Sequence, residues 1–221
     1  MRERSGPRSL TVAALTVLLL AAPASARTIT LTAEDCDQIA VICAKAPRLS
    51  WAVTQNAAGT FDTIPQLQMF GHLQQAVLIR FPVEQIPRNQ RVTKAELTLQ
   101  VTHVDQKARL RVRRLQAEWG AGVCHEYRMA YPQKLEWSQP GAQGSPADRA
   151  AKDTAVLEIG AVGEYTLDVT EDVELWYTGA TANRGWIMNM ENAYALYLPS
   201  PYCPPSGSGK QWKLRITFEP Q

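Results

Sequence analysis

The most regular hydrophobic pattern in the chain lies in residues 76–104, where two strand-like runs follow one another. The first run, at residues 77–81, is Val-Leu-Ile-Arg-Phe and is apolar except for Arg80. Such a short apolar run predicts a strand covered on both faces, and we expect Arg80 to pair there with a carboxylate. In the second run, apolar and polar residues alternate over residues 94–101. This period predicts a strand with one face in solvent.

Further short apolar runs, separated by Gly, Pro and Asn turn signals, indicate an all-β sandwich. One stretch differs, because Val169, Val173 and Trp176 are spaced i, i+4 and i+7 and predict one short amphipathic helix ending at Gly179. The predicted strands are at residues 51–55, 61–64, 77–81, 92–104, 109–115, 156–159, 164–168, 186–190, 194–198 and 212–218.

The N-terminal residues have the pattern of a secretory signal peptide. Three arginines precede an apolar run at residues 10–22, and Ala24-Ser25-Ala26 then supplies the small residues of a cleavage site. We therefore expect a signal peptide at residues 1–26, cleavage after Ala26 and a secreted, extracellular protein. No second long apolar run follows, so no membrane insertion is predicted. Residues 27–48, with a short helical pattern, are expected to form an N-terminal appendage, and residues 49–221 the sandwich domain.

The charge of the chain gives no support for a nucleic-acid partner. Removing the predicted leader takes away three of the 23 basic and one of the 21 acidic residues, which leaves 20 of each. A protein without net positive charge is not steered to nucleic acid, so any basic surface must be local.

Four cysteines are present, Cys36, Cys43, Cys124 and Cys203. An even number in an exported chain predicts two disulfide bonds, with three possible pairings. Of these pairings we favour Cys36 with Cys43 and Cys124 with Cys203. The first bridge would tie down the predicted N-terminal appendage.

Four groups of residues follow the order and spacing of one known family. They are Arg80-Phe81 with residues 92–99; Trp119 with residues 123–128, then residues 137–141 and Asp148-Arg149; residues 165–170 leading into Trp176 and Gly179; and Asn183-Arg184-Gly185-Trp186. Together they resemble the DNRLRE domains, the disaggregatase-related carbohydrate-binding modules, over most of residues 51–218. The chain departs from the family at Cys124-His125, where many members have Thr-Trp, and around Pro204 and Pro205.

The resemblance implies a jelly-roll-like antiparallel β-sandwich that binds polysaccharide without catalysis. Acidic, uronate-containing polymers such as alginate are among the ligands known for the family. A structural or adhesive surface protein that uses the same sandwich for protein or matrix contacts is the alternative.

Enzyme signatures are absent or broken in the sequence. His125-Glu126 begins a zinc-protease-like pattern, but Met129 stands where the second histidine is required. No G-x-S-x-G nucleophile motif occurs. The carboxylates of the predicted helix, including Asp172, are interpreted as a solvated face. We therefore expect no enzymatic activity.

Arg109, Arg111 and Arg113 alternate with apolar residues and are predicted to project from one face of a strand. Such a row suits a polymer that carries carboxylates, because each guanidinium can bind a carboxylate through two hydrogen bonds. The alternative is an ordinary outer sheet face whose charge is balanced by Glu96 or Glu118.

Residues 119–151 are the least regular part of the chain, and a loop of this length is usually functional or mobile. Tyr127 and Arg128 are the candidate ligand contacts there, whereas Trp119 and Trp137 are expected to plug the edge of the core.

No cofactor is predicted for this chain. Calcium is the one metal considered, because Asp62, Asp148 and Asp153 are loop carboxylates, but no ligand spacing requires it.

Overall fold

The computed structural model describes residues 25–32, 35–49, 51–53, 66–199 and 212–221. Residues 1–24 of the predicted leader, the predicted strand at residues 61–64 and Cys203 lie outside the described residues. The described strands are β1 (Arg27–Thr32), β2 (Gln38–Cys43), β3 (Trp51–Val53), β4 (Gln66–Phe70), β5 (Gln75–Arg80), β6 (Gln90–Val101), β7 (His103–Val104), β8 (Ala108–Arg114), β9 (Tyr127–Met129), β10 (Leu135–Glu136), β11 (Ala155–Ile159), β12 (Gly163–Asp168), β13 (Trp186–Glu191), β14 (Ala195–Pro199) and β15 (Lys213–Pro220), with one helix, α1 (Thr170–Tyr177).

The strands form two main antiparallel sheets. The smaller has the order β1-β15-β6-β12, and the larger has the order β11-β8-β13-β5-β2-β3. A three-stranded sheet, β4-β14-β7, and the β9–β10 hairpin complete the fold. The predicted all-β sandwich is confirmed, and the helix begins and ends close to the predicted residues.

The main core lies between the two large sheets. On β6, Ala95, Leu97, Leu99 and Val101 are fully buried, as the alternating pattern predicts. Trp186 of β13 is also buried and contacts Trp176 of the helix, with ring centroids 4.6 Å apart. The side chains that alternate along each strand therefore build one continuous apolar layer.

The outer face of the six-stranded sheet carries a second, smaller core. Residues 115–150 leave β8, cross this face and return to β8, where Leu115 pairs with Arg149. Their apolar side chains pack on the outward-facing residues of β2, β5 and β13. This second core contains Ala40, Ile42, Ala76, Leu78, Leu115, Trp119, Val123, Trp137, Ala142 and Ile187. The prediction that the first apolar run is covered on both faces is thus confirmed, and residues 115–150 supply one of the covers.

The predicted N-terminal appendage is part of the sandwich instead. β1 pairs with β15 over its whole length, and β2 lies between β5 and β3 in the six-stranded sheet. Residues 38–43 form a strand where the sequence suggested a helical pattern. Because β2 is buried on both faces from Ile39 to Cys43, its residues are apolar on both sides and show no alternation.

The predicted bridge between Cys36 and Cys43 is wrong. Cys36 precedes β2 and Cys43 ends it, so an extended chain holds them roughly 20 Å apart, whereas a disulfide needs Cα atoms within about 7 Å. Cys43 is a buried thiol whose sulfur lies 3.4 Å from the carbonyl oxygen of Leu73. Cys124 is a buried thiol too, and Cys203, its predicted partner, lies outside the described residues.

Candidate functional site

The part of the outer sheet face that residues 115–150 leave open carries the predicted arginine row. Along β8, Ala108, Leu110 and Val112 enter the main core, so the alternate residues point to the opposite face. These are Arg109, Arg111 and Arg113, all of them partly exposed. The predicted placement of the three guanidinium groups on one face is confirmed.

Carboxylates of neighbouring segments pair with this row. Asp153 bridges two of the arginines, with 2.6 Å from Arg111 Nη1 to Oδ2 and 2.5 Å from Arg113 Nε to Oδ1. Glu191 lies 2.8 Å from Arg111 Nε, and Glu158 lies 3.5 Å from Arg109 Nε. The row is therefore partly neutralised, but the expected partners are wrong. Glu96 pairs with Lys94 and Arg215, and Glu118 pairs with Arg184.

Arg149 adds a fourth guanidinium to this face. It belongs to the Asp148-Arg149 pair of the motifs above, but the sequence did not predict it as a ligand contact. Its Nη1 donates to Asn189 Oδ1 at 3.2 Å and its Nη2 to Gln143 Oε1 at 2.5 Å. Both partners are neutral amides, and no carboxylate among the described residues forms an ion pair with it. The Nε of Arg149 is buried and has no hydrogen-bond partner among the described residues. Arg149 is therefore a half-buried cation without an ion pair among the described residues.

Burial and a like charge both act on this group. Burial lowers the pKa of Arg149 from its ordinary value, and the neighbouring charge of Arg113 lowers it further. Asp153 and Asp148 offset part of this effect. An anion placed beside Arg149 would stabilise its charged form, because opposite charges at short distance favour ionisation.

Five cations and three carboxylates share this region. Lys107 joins the four arginines and contacts Glu158 at 3.3 Å. Set against Asp153, Glu158 and Glu191, these groups leave an excess of two positive charges, and the buried carboxylate of Asp148, which also acts on Arg149, reduces the excess to one. We call the surface formed by Lys107, Arg109, Arg111, Arg113, Arg149, Asp153, Glu158, Asn189 and Glu191 the basic face.

A cleft of about 240 Å³ continues the basic face between the sheet and residues 115–150. Gln143 and Asn189, the two partners of Arg149, line it together with Gln75 and His125. Burial lowers the pKa of His125, so the imidazole is neutral at pH 7 and can donate and accept hydrogen bonds. The cleft therefore offers uncharged polar groups next to the cations of the basic face.

A buried carboxylate fixes the turn that ends at Arg149. Asp148 Oδ1 accepts from the backbone N–H of Ser138 at 2.8 Å. Its Oδ2 accepts from the Ser138 hydroxyl at 2.9 Å and from the backbone N–H groups of Gln139 and Gly144 at 3.0 Å each. Because the carboxylate closes this loop, the following residue is held against the sheet.

The other two predicted ligand contacts do not join the arginine row. Tyr127 and Arg128 lie on β9, where Arg128 Nη1 donates to the carbonyl oxygen of Glu118 at 2.8 Å. The neighbouring Glu126 N–H donates to Pro47 O at 3.1 Å, beyond the end of β2. Three strand spacings separate β2 from β8 in the sheet order, which amounts to about 14 Å. Tyr127 therefore does not lie beside the arginine row.

The tryptophans of residues 115–150 have the structural role that the sequence predicted. Trp119 and Trp137 are both buried in the second core. Their indole N–H groups donate to the carbonyl oxygens of Arg184 at 2.8 Å and Cys124 at 2.9 Å.

The carboxylates considered for calcium are engaged with the protein. Asp148 and Asp153 have the partners given above, and Asp62 lies outside the described residues. Within the described ranges, no group of three or more His, Cys, Asp or Glu side chains is placed to hold a metal ion.

The helix carboxylate Asp172 is buried, so the prediction that it lies on a solvated face is wrong. It accepts hydrogen bonds from Arg114, Thr154 and the indole of Trp186.

No helix in the part of the chain that the structure describes is long and apolar enough to cross a membrane. Comparison of the sequence with models of known protein families finds no match. Comparison with curated proteins also finds no similar chain. The resemblance to DNRLRE domains therefore stays a prediction from the motifs quoted above.

Proposed function

We propose that this protein is a secreted, non-catalytic carbohydrate-binding module that holds acidic polysaccharide on the basic face. The observation that carries the proposal is the environment of Arg149, a half-buried guanidinium with two amide partners and no carboxylate ion-paired to it among the described residues. The signal-peptide pattern and the resemblance to DNRLRE domains support it independently.

The chemistry of a uronate polymer suits this surface. A sugar carboxylate beside Arg149 would supply the missing counter-charge through hydrogen bonds to the guanidinium. The amides of Gln143 and Asn189 and the imidazole of His125 can bond sugar hydroxyls in the adjoining cleft.

The rest of the arginine row supports binding more weakly. Arg109, Arg111 and Arg113 already have carboxylate partners, so a ligand must compete with Asp153, Glu158 and Glu191. Their main contribution is the excess positive potential of the face, which attracts an anionic chain and weakens with salt.

The first test is a screen of acidic and neutral glycans, followed by a titration of polygalacturonate or alginate with wild type and Arg149→Ala. Loss of a hydrogen bond between charged groups is worth about 1.5–3 kcal/mol, so we expect the affinity of the variant to fall about 10- to 100-fold. Wild-type affinity should also fall as salt is raised.

Arg215→Ala is the matched control, because Arg215 is an ion-paired arginine on the other large sheet. It should bind like wild type. Two results would contradict the proposal: Arg149→Ala that binds as tightly as wild type, or wild type that binds neutral and acidic glycans equally. Binding to proteins or matrix with no glycan response would favour the adhesive alternative.

A further inference from the structure

Five aromatic rings lie next to one another on the three-stranded sheet and the turns beside it. We call them the aromatic strip. They are Phe70, His72, His103, Tyr194 and Tyr197.

The rings form an unbroken series. His72 and Tyr194 stack almost in parallel, with centroids 4.7 Å apart and an angle of 11°. Phe70 meets Tyr194 and Tyr197 edge-on at 6.2 and 5.8 Å. His103 continues the series beyond Tyr197 at 4.7 Å.

The strip is on the outward face of its sheet. On β4 and β14, Leu67, Met69, Leu196 and Leu198 are fully buried, and the rings occupy alternate positions or the adjoining turns. Tyr194 is 56% exposed even though His72 covers one face of its ring. Three of the five rings, His72, His103 and Tyr194, are exposed, and Phe70 and Tyr197 are partly exposed. The main core therefore does not account for these rings, and such aromatic clusters at the surface are typical of interaction sites.

The strip begins at the rim of the cleft next to the basic face. Gly71, between Phe70 and His72 in the chain, lines that cleft and donates its N–H to Tyr194 O at 3.0 Å. Gln75 also lines the cleft, and its Oε1 accepts from the Phe70 N–H at 2.8 Å. The wall of the cleft and the strip are thus one continuous surface.

A side chain at position 71 would disturb this junction. A Cβ added to Gly71 would lie 2.3 Å from the carbonyl oxygen of Ala193. The close approach of the two backbones brings the 70–72 turn against Tyr194, which is where the two rings stack. The junction therefore requires glycine at this position.

From this continuity we infer that the aromatic strip is a second subsite for the glycan chain bound at the basic face, an inference that rests on the proposed function. Pyranose rings have apolar C–H faces, which pack on exposed aromatic rings and bury apolar area. The occupant is thus the continuation of the same chain beyond the sugar held at Arg149. We expect a two-residue oligomer held at Arg149 to end short of Tyr194, so affinity should rise with chain length.

The test compares galacturonate oligomers of two and six residues as probes. Tyr194→Ala is expected to weaken the six-residue oligomer about tenfold and to leave the two-residue oligomer unchanged, since a well-placed aromatic contact is worth about one factor of ten. Tyr194→Phe keeps the ring and should bind both oligomers like wild type.

Tyr131→Ala is the matched control, because Tyr131 is 70% exposed but belongs to residues 115–150 and has no ring contact with the strip. It should bind both oligomers like wild type. Equal loss on the two oligomers in Tyr194→Ala, or no loss on either, overturns the second subsite. A Tyr194-dependent dimer in sedimentation would overturn it too, because a second copy would then occupy the strip.

The inference and the proposed function fail in different ways. If wild type binds neither oligomer, or if Arg149→Ala binds both normally, the proposed function fails. If binding depends on Arg149 but not on Tyr194 at either length, only the second subsite fails.

Discussion

Asp148 shows how one buried side chain positions the candidate site. It is 2% exposed and accepts four hydrogen bonds that close the turn before Arg149. Asp148→Asn replaces an acceptor oxygen with a donor amide, which leaves N–H groups of the turn without partners. We expect the free energy of unfolding to fall by about 2–4 kcal/mol, measured by urea denaturation.

Glu158→Gln is the comparison for this prediction. Glu158 is about half exposed and its ion pairs are at the surface, so its loss should cost less than about 1 kcal/mol. A similar loss in both variants would show that the buried hydrogen bonds of Asp148 do not stabilise the fold.

Glu96 gives a prediction for the pH dependence of stability. Lys94 and Arg215 lower the pKa of this carboxyl below its ordinary value. A carboxyl with a lower pKa in the folded state stabilises the protein above its unfolded pKa of about 4.3, and this contribution is lost as pH falls through the folded value. Wild type should therefore lose more stability between pH 7 and pH 3 than Glu96→Gln.

Urea denaturation of both proteins at the two pH values measures this difference. The variant should be less stable than wild type at pH 7 and close to it at pH 3. An equal loss for both proteins between pH 7 and pH 3 would contradict the contribution of Glu96.

At the residue scale, the sequence could predict which side chains share a face but not their partners. The period of two placed the arginine row correctly, and a charged residue in an apolar run correctly indicated an internal pair, Arg80 with Asp37 at 2.6 Å. The partners Asp153 and Glu191 come from distant parts of the chain, so no local pattern identifies them. Arg149 follows an irregular turn, and only the fold brings it to the sheet.

At the element scale, residues 115–150 are the part of the fold that the sequence described least well. Their Gly and Pro residues hide any period, yet they bury Trp119 and Trp137 and form the second core. The strand β6 and the helix α1 were predictable, because one face of each meets solvent and their apolar residues therefore recur with a clear period. β2 was not, because a short apolar run buried on both faces, like that of β5, cannot be told from a buried helix segment by its period alone.

Trp137→Ala tests whether this segment is held by the second core. Removal of a buried tryptophan costs about 3–5 kcal/mol, and Trp137 also donates to the carbonyl oxygen of Cys124. We expect faster amide hydrogen exchange throughout residues 115–150 and on the outer residues of β5, with smaller changes in β6. Uniform loss of protection across both large sheets would contradict a separate second core.

At the scale of the whole molecule, each of the two large sheets contains a strand from the N-terminal part of the chain. β1 covers the edge of β15, and β2 supplies five consecutive buried residues to the six-stranded sheet. A variant beginning at residue 49 should therefore lack cooperative thermal unfolding, whereas one beginning at Arg27 should keep it. Circular dichroism during heating measures both. A cooperative transition in the shorter variant would support the prediction that residues 27–48 are an appendage to the sandwich.

The central claim is that an acidic glycan binds across the outer face of the six-stranded sheet. The most direct measurement is the mapping of backbone NMR shifts while a six-residue galacturonate is titrated into the labelled protein. The largest changes should fall on β8, on Arg149 and on Asn189, followed by Gly71 and Tyr194. Changes confined to the β9–β10 hairpin or to the four-stranded sheet, or no changes at all, would contradict the account.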